Sequence, residues 1–321
     1  MRTTIVGVMT AMAAATIVST PGNAVPLAPA PDVAAIRTVP ADQVPLGHQR
    51  FAALAQYHRW YLYYENIGAV ESNALDILDE NVTIESGLGK ATGHSAYRDR
   101  LGRLPRTWKN SHDVKSAEVT VNADGTINLT AKIVYLNQGM MPNGVVRTAD
   151  LTYKTRLRPS DTVLPKFTAI EIVQNSTGET TDFVPKYADN RIRSLVYYWY
   201  ALIDNPKRDA EPFREILAKD FVVTLSTGKL DSFAKFKDWY DGPVSSVKVS
   251  AHQINSLTYE EVAPNTYKVV VDADWQGLLH DGRMMVGRTL TNWTLVDDPS
   301  RRFAQIASYD VKILVPFQPK P

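Results

Sequence analysis

The groups that could do chemistry in these 321 residues are few. There are no cysteines, which removes disulfides, a thiol nucleophile and any Cys-ligated metal. The six histidines are His48, His58, His94, His112, His252 and His280, and none forms an HxH or HxxxH pair. The short zinc spacings are therefore absent. No G-x-S-x-G elbow marks a serine nucleophile, and "GLGKATG" at 87–93 lacks the phosphate-loop spacing. Imidazole, carboxylate and phenol remain. A carboxylate within hydrogen-bond reach of an imidazole orients it and raises its basicity, and a nearby Tyr can polarise a carbonyl or protonate a leaving oxygen. Asp272 and Asp274 alternate in "VDADW" and so share one strand face; the spacing suits a proton-sharing pair, but the expected setting is the solvent side of a half-buried sheet. Asp150 and Arg147 read the same way.

These groups need elements to hold them. Composition, at 44% hydrophobic and 21% charged, supplies ordinary globular cores. The length favours two domains. A net charge of +1, without an arginine-rich run, argues against nucleic acid or an anionic membrane as partner. From His48, apolar residues at Phe51, Leu54, Tyr57, Trp60, Tyr61 and Tyr64 keep a helical spacing. A short helix over Glu71–Leu78, a strand "NVTIES" and a helix "HSAYRDRLGRL" follow. Four alternating runs come next, the first two joined at Ala123-Asp124-Gly125. Helices first and then a meandering sheet is an α+β layout.

The order repeats from Arg191. "IRSLVYYWYALIDN" is a long aromatic helix, "AEPFREIL" a second and "LDSFAKFKDWY" a third, with "DFVVTLS" and four later runs as strands. His252 and His112 differ by 140, and Ser256 falls on Ser116 at that shift. Upstream the shift is 139, with Trp199 on Trp60, Tyr200 on Tyr61 and Asp204 on Glu65. A duplication is expected. The stretches "QGMMPNG" from Gln138 and "QGLLHDG" from Gln276 read as one hairpin end used twice. Their pairs Met140-Met141 and Leu278-Leu279 are all expected to be covered.

"YALIDN" at 200–205, "FREILAKDFVVTLS" and "SAHQI" at 250–254, with the looser "YLYYEN" at 61–66 and "NSHDV" at 110–114, resemble the nuclear-transport-factor-2-like fold. The branch they resemble is the SnoaL-like one related to polyketide cyclases and scytalone dehydratase. The resemblance implies two tandem cone-shaped units, each with N-terminal helices packed on a curved, mostly antiparallel sheet around an apolar pocket. It implies dimerisation through the sheet, which two copies in one chain could make internally as a pseudo-dimer. It also implies an acid late in the first helix and a His opening the strand after the third. Carried over, these are Asp204 and His252 with Tyr200, and Glu65 and His112 with Tyr61. In the resembling enzymes such groups move a proton at a carbon next to a carbonyl, with no metal or organic cofactor. The dehydratases have a second His on a later strand; Lys132–Tyr135 and Asp272–Trp275 hold none. The structural alternative is an acid that caps its helix and a His that bonds within the sheet.

The expected organisation is then a signal peptide over 1–24, a flexible Pro/Ala-rich linker over 25–47 and a first SnoaL-like domain over 48–175. A linker over 176–190, a second domain over 191–314 and a loose tail over 315–321 complete it. Arg2 before an apolar stretch and the small residues of "TPGNA" carry the signal-peptide reading, and with it a secreted or periplasmic location without a membrane span after cleavage. Two functions fit: an exported enzyme of the cyclase, dehydratase or isomerase type acting on a small apolar molecule, or a non-catalytic module that binds such a ligand or another protein.

Overall fold

The computed structural model describes residues 36–320; the expected signal peptide and the linker up to residue 35 lie outside them. The described chain holds two six-stranded sheets, each preceded by helices. Helix α1 (Gly47–Glu65) leads to α2 (Glu71–Asp76), β1 (Leu78–Ser86), β2 (Gly89–Thr92) and α3 (Gly93–Gly102). Then come β3 (Lys109–Val121), β4 (Ile127–Gln138), β5 (Val146–Arg158) and β6 (Lys166–Thr180). The second set is α4 (Tyr187–Ile203), α5 (Phe213–Ile216), β7 (Leu217–Leu225), β8 (Gly228–Leu230) and α6 (Phe233–Asp241). It ends with β9 (Val247–Ala263), β10 (Thr266–Leu279), β11 (Met284–Val296) and β12 (Gln305–Pro319).

Strand order is β2-β1-β6-β5-β4-β3 in one sheet and β8-β7-β12-β11-β10-β9 in the other. β1 pairs parallel with β6 and β7 with β12, whereas β1–β2, β3–β4, β4–β5, β5–β6, β7–β8, β9–β10 and β10–β11 are antiparallel. The duplication extends to irregularities. The β3 ladder skips Lys115 between Val114 and Ser116, and the β9 ladder skips Asn255 between Ile254 and Ser256, 140 positions on. A bulge at the same place in both copies re-aims the same strand face. The parallel pairs shift between Leu78 and Thr83 in one sheet and between Leu217 and Val222 in the other, at an offset of 139.

By contacts, Leu46–Ile203 and Asp297–Gln305 form one compact unit, and Asp204–Val296, Ile306–Pro321 and the described part of Met1–Pro45 form the other. Helix α4 opens the second repeat in sequence but packs on α1 within the first unit, where Phe51 stacks on Tyr197 at 5.8 Å. The first core gathers Tyr57, Trp60 and Tyr61 of α1 with Leu129, Ile133, Tyr153, Phe167 and Ile170 of the sheet. β4 shows why: Ile127, Leu129, Ala131 and Ile133 point inward while Asn128, Thr130 and Lys132 are exposed, the period-2 pattern of a one-sided sheet. In the second unit Ser232 caps α6 by accepting from the Lys235 amide. Phe236 and Tyr240 then pack on Phe213.

The ends of the chain differ from the sequence expectation. Ile36–Leu46 is not a free tether. Arg37 N donates to Asp274 Oδ2 at 3.0 Å and Val39 N to Gln276 Oε1 at 2.9 Å, while Gln276 Nε2 donates back to Val39 O at 3.1 Å. Ala41–Leu46 is a 3-10 helix whose Val44 is buried against Val249 and Ala251. The prolines that suggested a tether remove amide donors, and glutamine and aspartate side chains supply partners to the amides that remain. The tail is not loose either: β12 runs to Pro319, and Phe317 meets the Trp275 ring edge-on at 4.9 Å.

The paired Gln-Gly stretches are hairpin ends but not equivalents. Tyr135 pairs with His112 and Trp275 with His252, so the sheets match at a shift of 140. That places Gln276 on Leu136 rather than on Gln138. Nor are the four apolar residues all covered: Leu279 is buried, Met141 and Leu278 are half-buried, and Met140 is 40% exposed.

Candidate acid-base sites

The two acids end the two long helices: Glu65 is the last residue of α1, and Asp204 follows the last residue of α4. A carboxylate there faces the negative end of the helix dipole. It therefore needs N–H donors from elsewhere, and neither acid caps its helix. Each instead takes donors from the strand that carries the His.

In the second unit, Asp204 Oδ2 accepts the His252 backbone N–H at 2.9 Å, and its two oxygens lie 2.9 and 3.1 Å from His252 Nδ1. Ser250 donates its hydroxyl to Oδ1 at 2.6 Å. The Asp204 side chain is fully buried and that of His252 is 11% exposed. Burial works to raise the Asp204 carboxyl; the charge of His252 and the hydrogen bonds from His252 and Ser250 outweigh it and hold the group below the ordinary aspartate value. Tyr200, one turn before Asp204, is buried on α4 with its ring 5.5 Å from that of Phe51.

In the first unit, Glu65 Oε1 accepts the His112 backbone N–H at 2.7 Å and lies 3.0 Å from His112 Nδ1. Asn190 Nδ2 lies 3.2 Å from Oε1, 3.0 Å from Oε2 and 3.0 Å from the His112 carbonyl. Tyr61 stacks on the imidazole at 4.4 Å, and the rings of Tyr135 and Tyr64 lie at 5.0 and 6.1 Å. Burial holds the Tyr61 phenol well above its ordinary value, so it is a neutral donor. His112 Nε2 makes no hydrogen bond among the described residues, whereas Nδ1 is committed to Glu65.

Both expected carboxylate–imidazole pairs are thus assembled, each with the imidazole pinned through Nδ1 and the carboxylate locked by the same residue's backbone. A carboxylate that takes Nδ1–H fixes the tautomer whose Nε2 lone pair can accept a proton. The partners Ser250 and Asn190 were not foreseen, nor was His58, whose Nδ1 lies 2.7 Å from Asn190 Oδ1. Ser250 was within reach of sequence reasoning, lying two residues before His252 on the same strand face. Asn190 was not, since it stands 125 positions from Glu65.

Asp272 and Asp274 depart from the solvent reading. Asp272 is half-buried and held by Arg288 at 2.8 and 2.6 Å. Asp274 is 1% exposed, covered by the segment around Arg37. Asp150 is exposed and accepts from Ser176, and Arg147 donates to Gln174. A groove of about 430 Å³ crosses the outer face of the first sheet, lined by Thr83, Asn128, Lys154, Arg156 and Glu171, and none of the six paired residues touches it. Among the described residues no three His, Asp or Glu side chains gather as a metal site, and no helix is long and apolar enough to cross a membrane.

No family model and no curated protein matches this chain. Solved structures do resemble it. A hexachlorocyclohexane dehydrochlorinase from Novosphingobium barchaimii is 15% identical over 41% of this chain and 90% of its own, with a TM-score of 0.37. A protein with a cystatin-like fold from Caulobacter vibrioides is 15% identical over 39% and 88%, at 0.33. A member of the nuclear-transport-factor-2-like superfamily from Salmonella enterica is 11% identical over 38% and 87%, at 0.34. Each covers most of its own length and about two-fifths of this chain.

Proposed function

We propose that this is an exported, cofactor-independent acid-base protein that moves a proton on a small apolar molecule, as cyclases, dehydratases and isomerases do. One observation carries the reading: the same carboxylate–imidazole geometry is built twice, at 139–140 positions' offset, from acids that serve no capping role. In each unit the imidazole would take a proton from a carbon beside a carbonyl or a leaving group. The buried carboxylate would stabilise the imidazolium that forms, an arrangement that contributes about 10²–10⁴-fold to rate. Tyr61 beside His112, as a neutral phenol, would donate to the oxygen on which charge develops. Export is supported by the charged, apolar and small-residue order of the first 24 residues.

The second reading, a binding module without catalysis, is favoured by the three tyrosine rings that gather on His112. One experiment separates the two. Small molecules retained by the purified full chain are identified by mass spectrometry, then incubated with it in D₂O. Proton transfer puts deuterium on a carbon of the ligand or, where a leaving group departs, converts the ligand to the elimination product, and His252→Ala or His112→Ala abolishes or sharply slows either change. Retention of the same ligand by all three chains, unconverted and with no deuterium in any, would establish binding alone.

A further inference from the structure

Asn190 does more than fill space beside Glu65. It is fully buried, and both ends of its amide are committed. Nδ2 reaches both Glu65 oxygens and the His112 carbonyl, and Oδ1 lies 2.7 Å from His58 Nδ1. The direction of these bonds is set by chemistry. A carboxylate and a carbonyl only accept, so Nδ2 must face them and Oδ1 must face His58. His58 must then donate from Nδ1. The polarity of the chain is fixed end to end: His58 donates to Asn190, and Asn190 and His112 both donate to Glu65.

We propose that Asn190 and His58 are positioning residues for His112, holding Glu65 so that the imidazole keeps its proton on Nδ1 and presents Nε2. The inference rests on the reading of the Glu65–His112 pair as a site of proton transfer. Glu65 sits at a helix end that disfavours its charge, and it has one more methylene than Asp204 over which to swing. Without Asn190 the second oxygen has no donor among the described residues, and the carboxylate is held through Oε1 alone, by the amide and Nδ1 of His112. The second unit meets the same need locally: Ser250, on the same strand as His252, holds Asp204. The first unit takes its holder from α4, the helix that opens the second repeat. Residue 51, the counterpart of Asn190 at the shift of 139, is a phenylalanine, so the arrangement is not a relic of the duplicated unit. It belongs to the two-repeat chain.

The test is nitrogen NMR on the full chain with ¹⁵N-labelled histidine, the His112 signals being assigned by their loss in His112→Gln. At a pH where the ring is neutral, the intact chain should carry its proton on Nδ1, protected from exchange with water. Asn190→Asp is isosteric but turns the donor into an acceptor. It should speed that exchange at least about tenfold, the factor expected for losing one hydrogen bond to a charged group. His58→Leu should do the same to a lesser degree, and His58→Gln, which can still donate to Oδ1, should restore protection. If Asn190→Asp does not fold, the contrast between His58→Leu and His58→Gln decides. A proton on Nε2 of His112 in the intact chain would sink the proton-transfer reading of this pair. A proton on Nδ1 whose exchange is unaltered in the folded variants would leave that reading standing and overturn the positioning role.

Discussion

Glu65–His112 and Asp204–His252 are two solutions to one problem. A buried carboxylate at the end of a helix must be given enough donors to stay ionised, and an imidazole must be held to it. Both solutions use the backbone and Nδ1 of the same His. They differ in the third donor, a hydroxyl two residues away in one unit and a distant amide in the other. The shorter acid is held by the strand that carries its own His, β9. The longer acid reaches a second helix and becomes part of a relay that includes a buried histidine. Local geometry survives duplication with little change, whereas the outer partners have been replaced.

The largest expected effects come from removing the acids. Glu65→Ala strands the His112 amide, its Nδ1–H and the Asn190 amide; Asp204→Ala strands the corresponding His252 groups and the Ser250 hydroxyl. Each should cost on the order of 3–5 kcal/mol in urea unfolding, as for other buried polar pairs that lose one partner. Similar losses in both would show that the pairs are energetically alike despite their different third donors. A loss below about 1 kcal/mol for either, the value of an exposed contact, would break the comparison.

Acid titration should separate the units. Burial pushes His58 down from 6.5 to about 4, so it is neutral in the folded protein. The unfolded chain binds a proton there first, and stability should fall as pH drops from 6.5 to about 4 and then level off for this group. At 1.36 kcal/mol per unit the full loss is roughly 3 kcal/mol. His58→Gln should flatten that limb. The counterpart at the shift of 139 is Tyr197, so the second repeat has no histidine at the equivalent position. Asp204 gives the opposite case. Its carboxyl is held below 3.8, so its stabilisation is complete above that value and is lost only as pH falls further toward the folded value. Asp204→Asn should remove the lower limb and leave the upper one. Stability curves measured by denaturant from pH 7 to 3 would read both, and a single limb shifted by either variant would refute the division.

Much of this was legible in the sequence, and the rest failed for identifiable reasons. Helical spacing from Phe51 to Tyr64 and alternation through β4 located the long helix and the sheet, because one buried face imposes a period on the residues. The two pairs came from the resemblance carried by "YALIDN" and "SAHQI", and the offset that relates one pair to the other also fits the observed bulges at Lys115 and Asn255. Identity of short strings misled where periodicity did not: the two Gln-Gly stretches lie two residues out of register. Composition misled at both ends. Proline-rich segments read as loose, yet residues 36–46 and 315–319 are docked, because a segment without its own hydrogen-bond pattern can borrow side-chain partners. Asp274 was misplaced for the same reason. An aspartate on the outer face of a strand is solvated only if nothing lies over it.

The outer faces of the two sheets give the smallest expected effect. In the second sheet, Gln276 makes both an acceptor and a donor contact to Val39, mimicking a neighbouring strand, and Asp274 takes the Arg37 amide. At the shift of 140 the first sheet has Val134 and Leu136 at these positions, neither able to bind a backbone. Gln276→Ala should therefore release the segment from the second sheet without unfolding it, at a cost of about 1–2 kcal/mol for two neutral hydrogen bonds. Arg37 is the natural reporter: its side chain is 53% exposed, though Nη2 donates to the Ile254 carbonyl at 2.6 Å, and its backbone amide is held by Asp274. Trypsin should cut after Arg37 faster in Gln276→Ala by about tenfold, the factor that 1.4 kcal/mol of local opening provides. Leu136→Ala, the change at the matching position of the first sheet, should leave that cleavage rate unaltered. Equal rates in the native chain and Gln276→Ala would mean that apolar packing of Ile36 and Val44, rather than the side-chain mimicry, fastens the segment.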